Sequence, residues 1–241
     1  MKAWLPALLI LLTTPTRAGS GFELMSPALQ AMQGDNGQNP AMLWVQGGAQ
    51  AWQRDCAACH GKAEHSMRGV AARYPAFDGR TGLALNLAQR VNACRARHLQ
   101  RPPLPPENEE LLSLTAFIGL QSRGLPLSPP EDARLEPGRE RGRLLYNARI
   151  GQLNLACAQC HDANAGRRLA GSLIPPGHVN GYPLYRLEWQ TLGSLQRRLR
   201  GCMTGVRAEP YAWEARELLD LELYLARRST GLPMETPAVR P

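Results

Sequence analysis

The pentapeptide Cys56-Ala57-Ala58-Cys59-His60 and its counterpart Cys157-Ala158-Gln159-Cys160-His161 constrain this chain more than any other feature. Each is a CxxCH motif, the pattern for covalent attachment of a c-type haem. Two thiols three positions apart on one helical turn can add across the two vinyl groups of a haem, and the adjacent histidine then reaches the iron as proximal ligand. A pair of thioredoxin-type dithiols would need a βαβ context, and no such pattern is visible. Two covalently bound c-type haems are therefore expected, one on Cys56 and Cys59 with His60 on its iron, the other on Cys157 and Cys160 with His161.

The motifs belong to a longer internal repeat. Shifted by 108 residues, Tyr74-Pro75 falls on Tyr182-Pro183, Phe77 on Tyr185, Leu87 on Leu195, Arg90 on Arg198 and Cys94 on Cys202, without a gap. With a shift of 107, ELLSLTAFI falls on ELLDLELYL and Gly124-Leu125-Pro126 on Gly231-Leu232-Pro233. The CxxCH motifs are 101 apart, so the second copy carries a loop seven residues longer between His161 and Tyr182, rich in turn formers such as Pro175-Pro176-Gly177.

Each copy reads as haem motif, loop, Tyr-Pro turn, a helix ending near a lone cysteine, and a closing helix. Leu111, Leu114 and Ile118 in one copy, and Leu218, Leu221 and Leu225 in the other, have the spacing of a buried helical face. Strand signals are scarce. The predicted fold is all-α: two tandem cytochrome c domains, 46–126 and 139–241, joined by a Pro-rich linker at 127–138 and preceded by an extension at 19–45. Each is too small to fold well without its haem.

Residues 1–18 read as a secretory signal, with Lys2, the apolar run ALLILL, and small residues ending at Ala18. No other apolar run approaches the roughly 20 residues that cross a bilayer, so an exported, periplasmic protein without a membrane span is expected, in a compartment that tolerates disulfides. The formal charge of +8 raises nucleic-acid binding. Export and the lack of a basic block interleaved with aromatics argue against it.

Each iron has a distal side to fill or leave open. After His60 the first copy has only Met67, too close to the proximal side, and no further methionine precedes Met203. His65, His98 and His178 have no mates in the other copy. Cysteine alone recurs at matched positions, as Cys94 and Cys202. Three readings of that pair compete: a disulfide, two buried structural thiols, or the distal ligand of each haem. A thiolate would stabilise the ferric centre and depress its reduction potential.

Two CxxCH motifs, a lone cysteine in each copy and the segment Arg198-Leu199-Arg200-Gly201-Cys202-Met203 together resemble the SoxA family, the larger subunits of the SoxAX cytochromes of bacterial sulfur oxidation. The resemblance covers essentially the whole mature chain. It implies an L-cysteine S-thiosulfotransferase that joins thiosulfate oxidatively to a cysteine of a SoxYZ carrier, with the electrons leaving through a small SoxX cytochrome. It also implies that Cys202 is both haem ligand and catalytic sulfur, often found as a persulfide, and that Arg198 holds the substrate.

The residues support that assignment by their own chemistry. Arg198 and Cys202, at i and i+4, share a helical face, where a guanidinium lowers a thiol pKa and offers forked donors to an oxyanion. Arg90 beside Cys94 shows that the same pairing can exist without catalysis, and a propionate clamp is the other use for such an arginine. A passive dihaem electron carrier is the competing function. Met203, Arg198 and the longer 162–181 loop make the second copy the more elaborate one, an asymmetry that a carrier would not require. A dihaem peroxidase would need a distal acid/base motif that is not found.

Overall fold

The two leucine-rich helices form as expected and organise the molecule: Leu111, Leu114, Ile118, Leu218, Leu221 and Leu225 are all at 5% exposure or less. The computed structural model describes residues 19–241; the proposed signal segment, residues 1–18, lies outside them. The chain begins with α1 (Pro27–Gly34) and α2 (Met42–Asp55), followed by the short helices α3 (Ala57–His60) and α4 (Ala63–Ser66). A hairpin of β1 (Ala76–Asp78) and β2 (Leu83–Leu85) leads into α5 (Leu87–His98) and α6 (Glu109–Leu120).

The order then recurs: α7 (Glu136–Asn147), α8 (Cys157–His161), a small hairpin of β3 (Arg168–Leu169) and β4 (Ser172–Leu173), a second hairpin of β5 (Leu184–Arg186) and β6 (Thr191–Gly193), then α9 (Leu195–Gly205) and α10 (Arg216–Arg228). A last strand, β7 (Ala238–Arg240), adds to β5 in parallel.

Helix α2 packs along α6 as α7 packs along α10. Both crossings depend on a glycine. A Cβ on Gly48 would come 2.1 Å from the Ser113 carbonyl oxygen, and one on Gly142 would come 1.9 Å from that of Asp220. Backbones this close leave no room for any side chain at the crossing. The lone-cysteine helices start at polar caps: Asn86 and Gln89 form a reciprocal capping box on α5, and the Ser194 hydroxyl accepts from the Arg197 amide on α9.

The Gly-Leu-Pro segments that close the two copies pair with each other. Leu127 N–H donates to Leu232 O and Met234 N–H to Leu125 O, both at 2.8 Å, with Pro126 opposite Pro233. Equivalent segments can pair antiparallel in this way only about a local twofold axis. The stretch 127–138, read as a linker, buries Leu127 and Leu135.

Residues 19–45 are tied to the far end of the chain. Met25, Leu29 and Val45 share a core cluster with Leu112, Tyr185, Leu192 and Val239, each buried aliphatic side chain contributing about 1.5–3 kcal/mol. Asn39 Nδ2 donates to Pro237 O at 3.0 Å, and Val239 N–H to Gln33 Oε1 at 2.9 Å.

The all-α expectation needs one correction: the chain is helix-rich, but its described residues include seven short strands. Strands of two or three residues are too short to show an alternating pattern. They exist because turn chemistry and distant pairing hold them. The Asp78 carboxylate closes the β1–β2 turn by accepting from the Thr81 amide and hydroxyl, and β7 is recruited by β5 across more than fifty residues.

Candidate functional site

Helix α8 presents Cys157, Cys160 and His161 within little more than one turn, and Cys157 and, from α9, Leu199 pack on the cluster of Tyr146, Leu221 and Leu225. This contact brings His161 and Cys202 together, 41 residues apart in the chain. The His161 ring is held from behind. Its Nδ1 lies 2.7 Å from the Pro175 carbonyl oxygen, to which the Nδ1–H donates, so Nε2 points forward as the ligating atom. Gly177 keeps the loop close: it has φ +70°, and a Cβ there would sit 3.1 Å from His161 Cβ. Sequence reasoning placed the longer loop here but missed the Pro175 carbonyl, because a backbone acceptor leaves no signature in residue type.

The electrostatics favour a thiolate at Cys202. Burial by itself would push the thiol up, but the hydrogen bond with His161 and the positive charges of Arg198 and Arg186 outweigh it and hold it below its ordinary value. His161 moves the opposite way: burial would lower it, and its bonds to Cys202 and Pro175 raise it above its ordinary value. Cys157 is pushed up to about 11 by burial and then by the neighbouring Cys202.

One face of the site thus offers an imidazole nitrogen, the other a thiolate, and α8 adds two thiols one turn apart. This donor set fits a c-type haem. Cys157 and Cys160 would carry the thioether bonds, with His161 and Cys202 on the iron.

The matching residues of the first copy are placed less tightly. Burial and the proximity of Cys94 push Cys56 up to about 11, so the lone cysteine again lies beside the first cysteine of its own motif. His60 is exposed, with its ring centroid 5.7 Å from that of Trp52. Met67 packs against the Trp52 cluster on the motif's own side. All six cysteines are unpaired, so no disulfide joins Cys94 to Cys202. Arg90 is bound to Asp78, Nη1 to Oδ1 at 3.0 Å, and Arg97 holds the same carboxylate at 2.6 Å. Sequence reasoning saw Arg90 one turn from Cys94 but not the partner that neutralises it.

Comparison with known proteins places this geometry. The family model of the SoxA/TsdA cytochrome c domain matches residues 41–127 and again 141–234. The L-cysteine S-thiosulfotransferase subunit SoxA of Pseudaminobacter salicylatoxidans is 36% identical over 92% of this chain and 80% of that protein. Its namesake from Rhodovulum sulfidophilum is 33% identical over 92% and 79%. The crystal structure of SoxXA from P. pantotrophus superposes with a TM-score of 0.88 at 32% identity, covering 92% of this chain and 86% of that one. Among the described residues, no helix is long and apolar enough to cross a membrane.

Proposed function

The chain belongs to the SoxA/TsdA cytochrome c family as an L-cysteine S-thiosulfotransferase subunit of SoxA type, and we propose that Cys202 is the sulfur at which thiosulfate is joined to a carrier cysteine. The observation that carries this reading is the half-buried His161–Cys202 pair with Arg198 one turn away. Its counterpart in the first copy, Arg90, is already neutralised.

In the reaction, the sulfane sulfur of thiosulfate forms a sulfur–sulfur bond with the carrier thiol. The thiol proton leaves, and two electrons are released, which balances the conversion of a dianion and a neutral thiol into a monoanionic S-sulfonate adduct, a proton and two electrons. A haem held by Cys157, Cys160, His161 and Cys202 would supply a one-electron acceptor there, so the two electrons would leave in succession to an external acceptor. Arg198 binds the anionic substrate beside Cys202 and lowers the thiol pKa, and Cys202 presents its sulfur to the sulfane end of the bound thiosulfate. Pro175 and Gly177 hold His161 in register.

The wider reading has two tandem cytochrome c domains, 46–126 and 139–241. The first holds a second covalent haem on Cys56 and Cys59, with His60 and Cys94 on its iron. The protein is exported to the periplasm by residues 1–18, works as a heterodimer with a SoxX-type small cytochrome that takes the electrons, and acts on a SoxYZ-type carrier.

The test uses the exported heterodimer with thiosulfate, a cysteine-bearing carrier and an external electron acceptor. Intact mass should show two haems on this chain, and the carrier should gain the S-sulfonate adduct. Cys202→Ala should abolish the adduct, whereas Cys94→Ala should leave it. An active Cys202→Ala, or equal losses for both variants, would make the protein a passive electron carrier.

A further inference from the structure

One register position shared by the two copies carries opposite charge. Strands β1 and β5 follow the two Tyr-Pro turns at the same spacing of 108 residues, so Asp78 and Arg186 stand at matching strand ends. Arg90 and Arg198 stand at matching turns of α5 and α9. In the first copy the aspartate and arginine form an ion pair at 3.0 Å. In the second, a guanidinium replaces the carboxylate.

The consequence is a pair of cations whose counter-charges are the Cys202 thiolate and the exposed Glu188 carboxylate. Arg198 has no side-chain hydrogen bond or ion pair among the described residues. Arg186 is 12% exposed at its side chain; it lies over the Trp189 ring, 5.3 Å from its centroid, and pairs at 2.6 Å with Glu188, which is itself 64% exposed; an ion pair so open to water is weak. Arg186 Nε is buried and unbonded, a donor that a folded protein rarely leaves unmet. Both arginines line a cavity of about 120 Å³, with His178, Tyr182, Pro175 and Arg240. Arg240 is neutralised by Glu235 and bonded to Gln33, so the unmet positive charge belongs to Arg186 and Arg198.

The two lie close to each other and to the reactive sulfur. Burial, and next the charge of Arg198, lower the Arg186 pKa, and the field of Arg186 reaches Cys202. Two guanidinium groups in a partly dry cleft repel, a bound anion between them relieves that repulsion, and each offers a fork of donors suited to a tetrahedral oxyanion.

We propose that Arg186 is the second anchor of the substrate: Arg186 and Arg198 together hold the sulfonate end of thiosulfate and turn its sulfane sulfur toward Cys202. This rests on the reading of Cys202 given above. In the first copy, Asp78 occupies the place of the second anchor.

The experiment compares Arg186→Gln, Arg186→Lys and Arg186→Asp with the wild-type heterodimer, haems loaded. Two readouts are taken: equilibrium binding of radiolabelled thiosulfate, and the KM for thiosulfate in carrier conjugation. Arg186→Gln should weaken both by about tenfold to a hundredfold. Arg186→Lys should recover part of the loss. Arg186→Asp, which restores the charge pattern of the first copy, should abolish binding.

Unchanged binding in Arg186→Gln overturns the proposal. So does a shifted haem potential with unchanged KM, which would make Arg186 a propionate clamp. If the wild-type protein binds thiosulfate through Arg186 but forms no carrier adduct, the second anchor stands and the reading of Cys202 fails. If the adduct forms and Arg186→Gln leaves KM unaltered, the reverse holds.

Discussion

Glu222 on α10 accepts a hydrogen bond from Asn86, Nδ2 to Oε1 at 3.0 Å, across 136 positions of the chain. The same oxygen accepts from Gln196 Nε2 at 2.7 Å. One buried carboxyl therefore links the caps and first turns of both lone-cysteine helices, and it lines a cavity of about 140 Å³ between the two copies.

That position makes stability pH-dependent. Burial pushes Glu222 up to about 7 against the opposing hydrogen bonds from Gln196 and Asn86, and Glu214 adds to the rise. A carboxyl whose folded pKa lies above its unfolded value favours the fold while both states are protonated. Its contribution falls as pH rises from the unfolded pKa through the folded one. Raising the pH from 4.5 to 8 should remove on the order of 3 kcal/mol. Glu222→Gln should flatten the dependence in that window, as thermal unfolding at a series of pH values will show.

The clasp on His161 gives a second prediction. Gly177→Ala places a side chain at φ +70° and 3.1 Å from His161 Cβ, and the left-handed conformation alone costs about 1–2 kcal/mol. The variant should melt at a lower temperature and bind less haem at the second motif, measured as the haem-to-protein ratio. The first motif should load normally.

Arg198 and Arg90 should behave differently despite their matched positions. Arg198→Ala removes a charge-assisted substrate contact worth about 1.5–3 kcal/mol, so the KM for thiosulfate should rise by roughly tenfold to a hundredfold. Arg90→Ala leaves Asp78 bonded to Arg97 at 2.6 Å and to Thr81 at 2.9 Å, so steady-state kinetics should be unchanged.

The distal ligands are open to spectroscopy. Electron paramagnetic resonance of the oxidised protein should show two low-spin His/thiolate centres, and Cys94→Ala should alter only one. His/Met or high-spin signals for both haems in the wild type would rule out Cys94 and Cys202 as ligands.

What could be read from the sequence is chemistry confined to a few adjacent residues, or repeated at a helical period. The thiols and histidine of CxxCH must be contiguous because one haem edge meets one helical turn. The faces of α6 and α10 show at Leu111 and Leu218 because burial acts every three to four residues. The i, i+4 spacing of Arg198 and Cys202 places them on one face whatever surrounds α9. Tertiary structure decided how these pieces face one another. Only there does the Pro175 carbonyl meet His161, Asn86 reach Glu222 across 136 positions, and β7 join β5. The charge reversal from Asp78 to Arg186 is visible as letters, but its meaning depends on which arginine each residue faces. That is a matter of Coulombic distance in the folded chain, which no local pattern of side chains records.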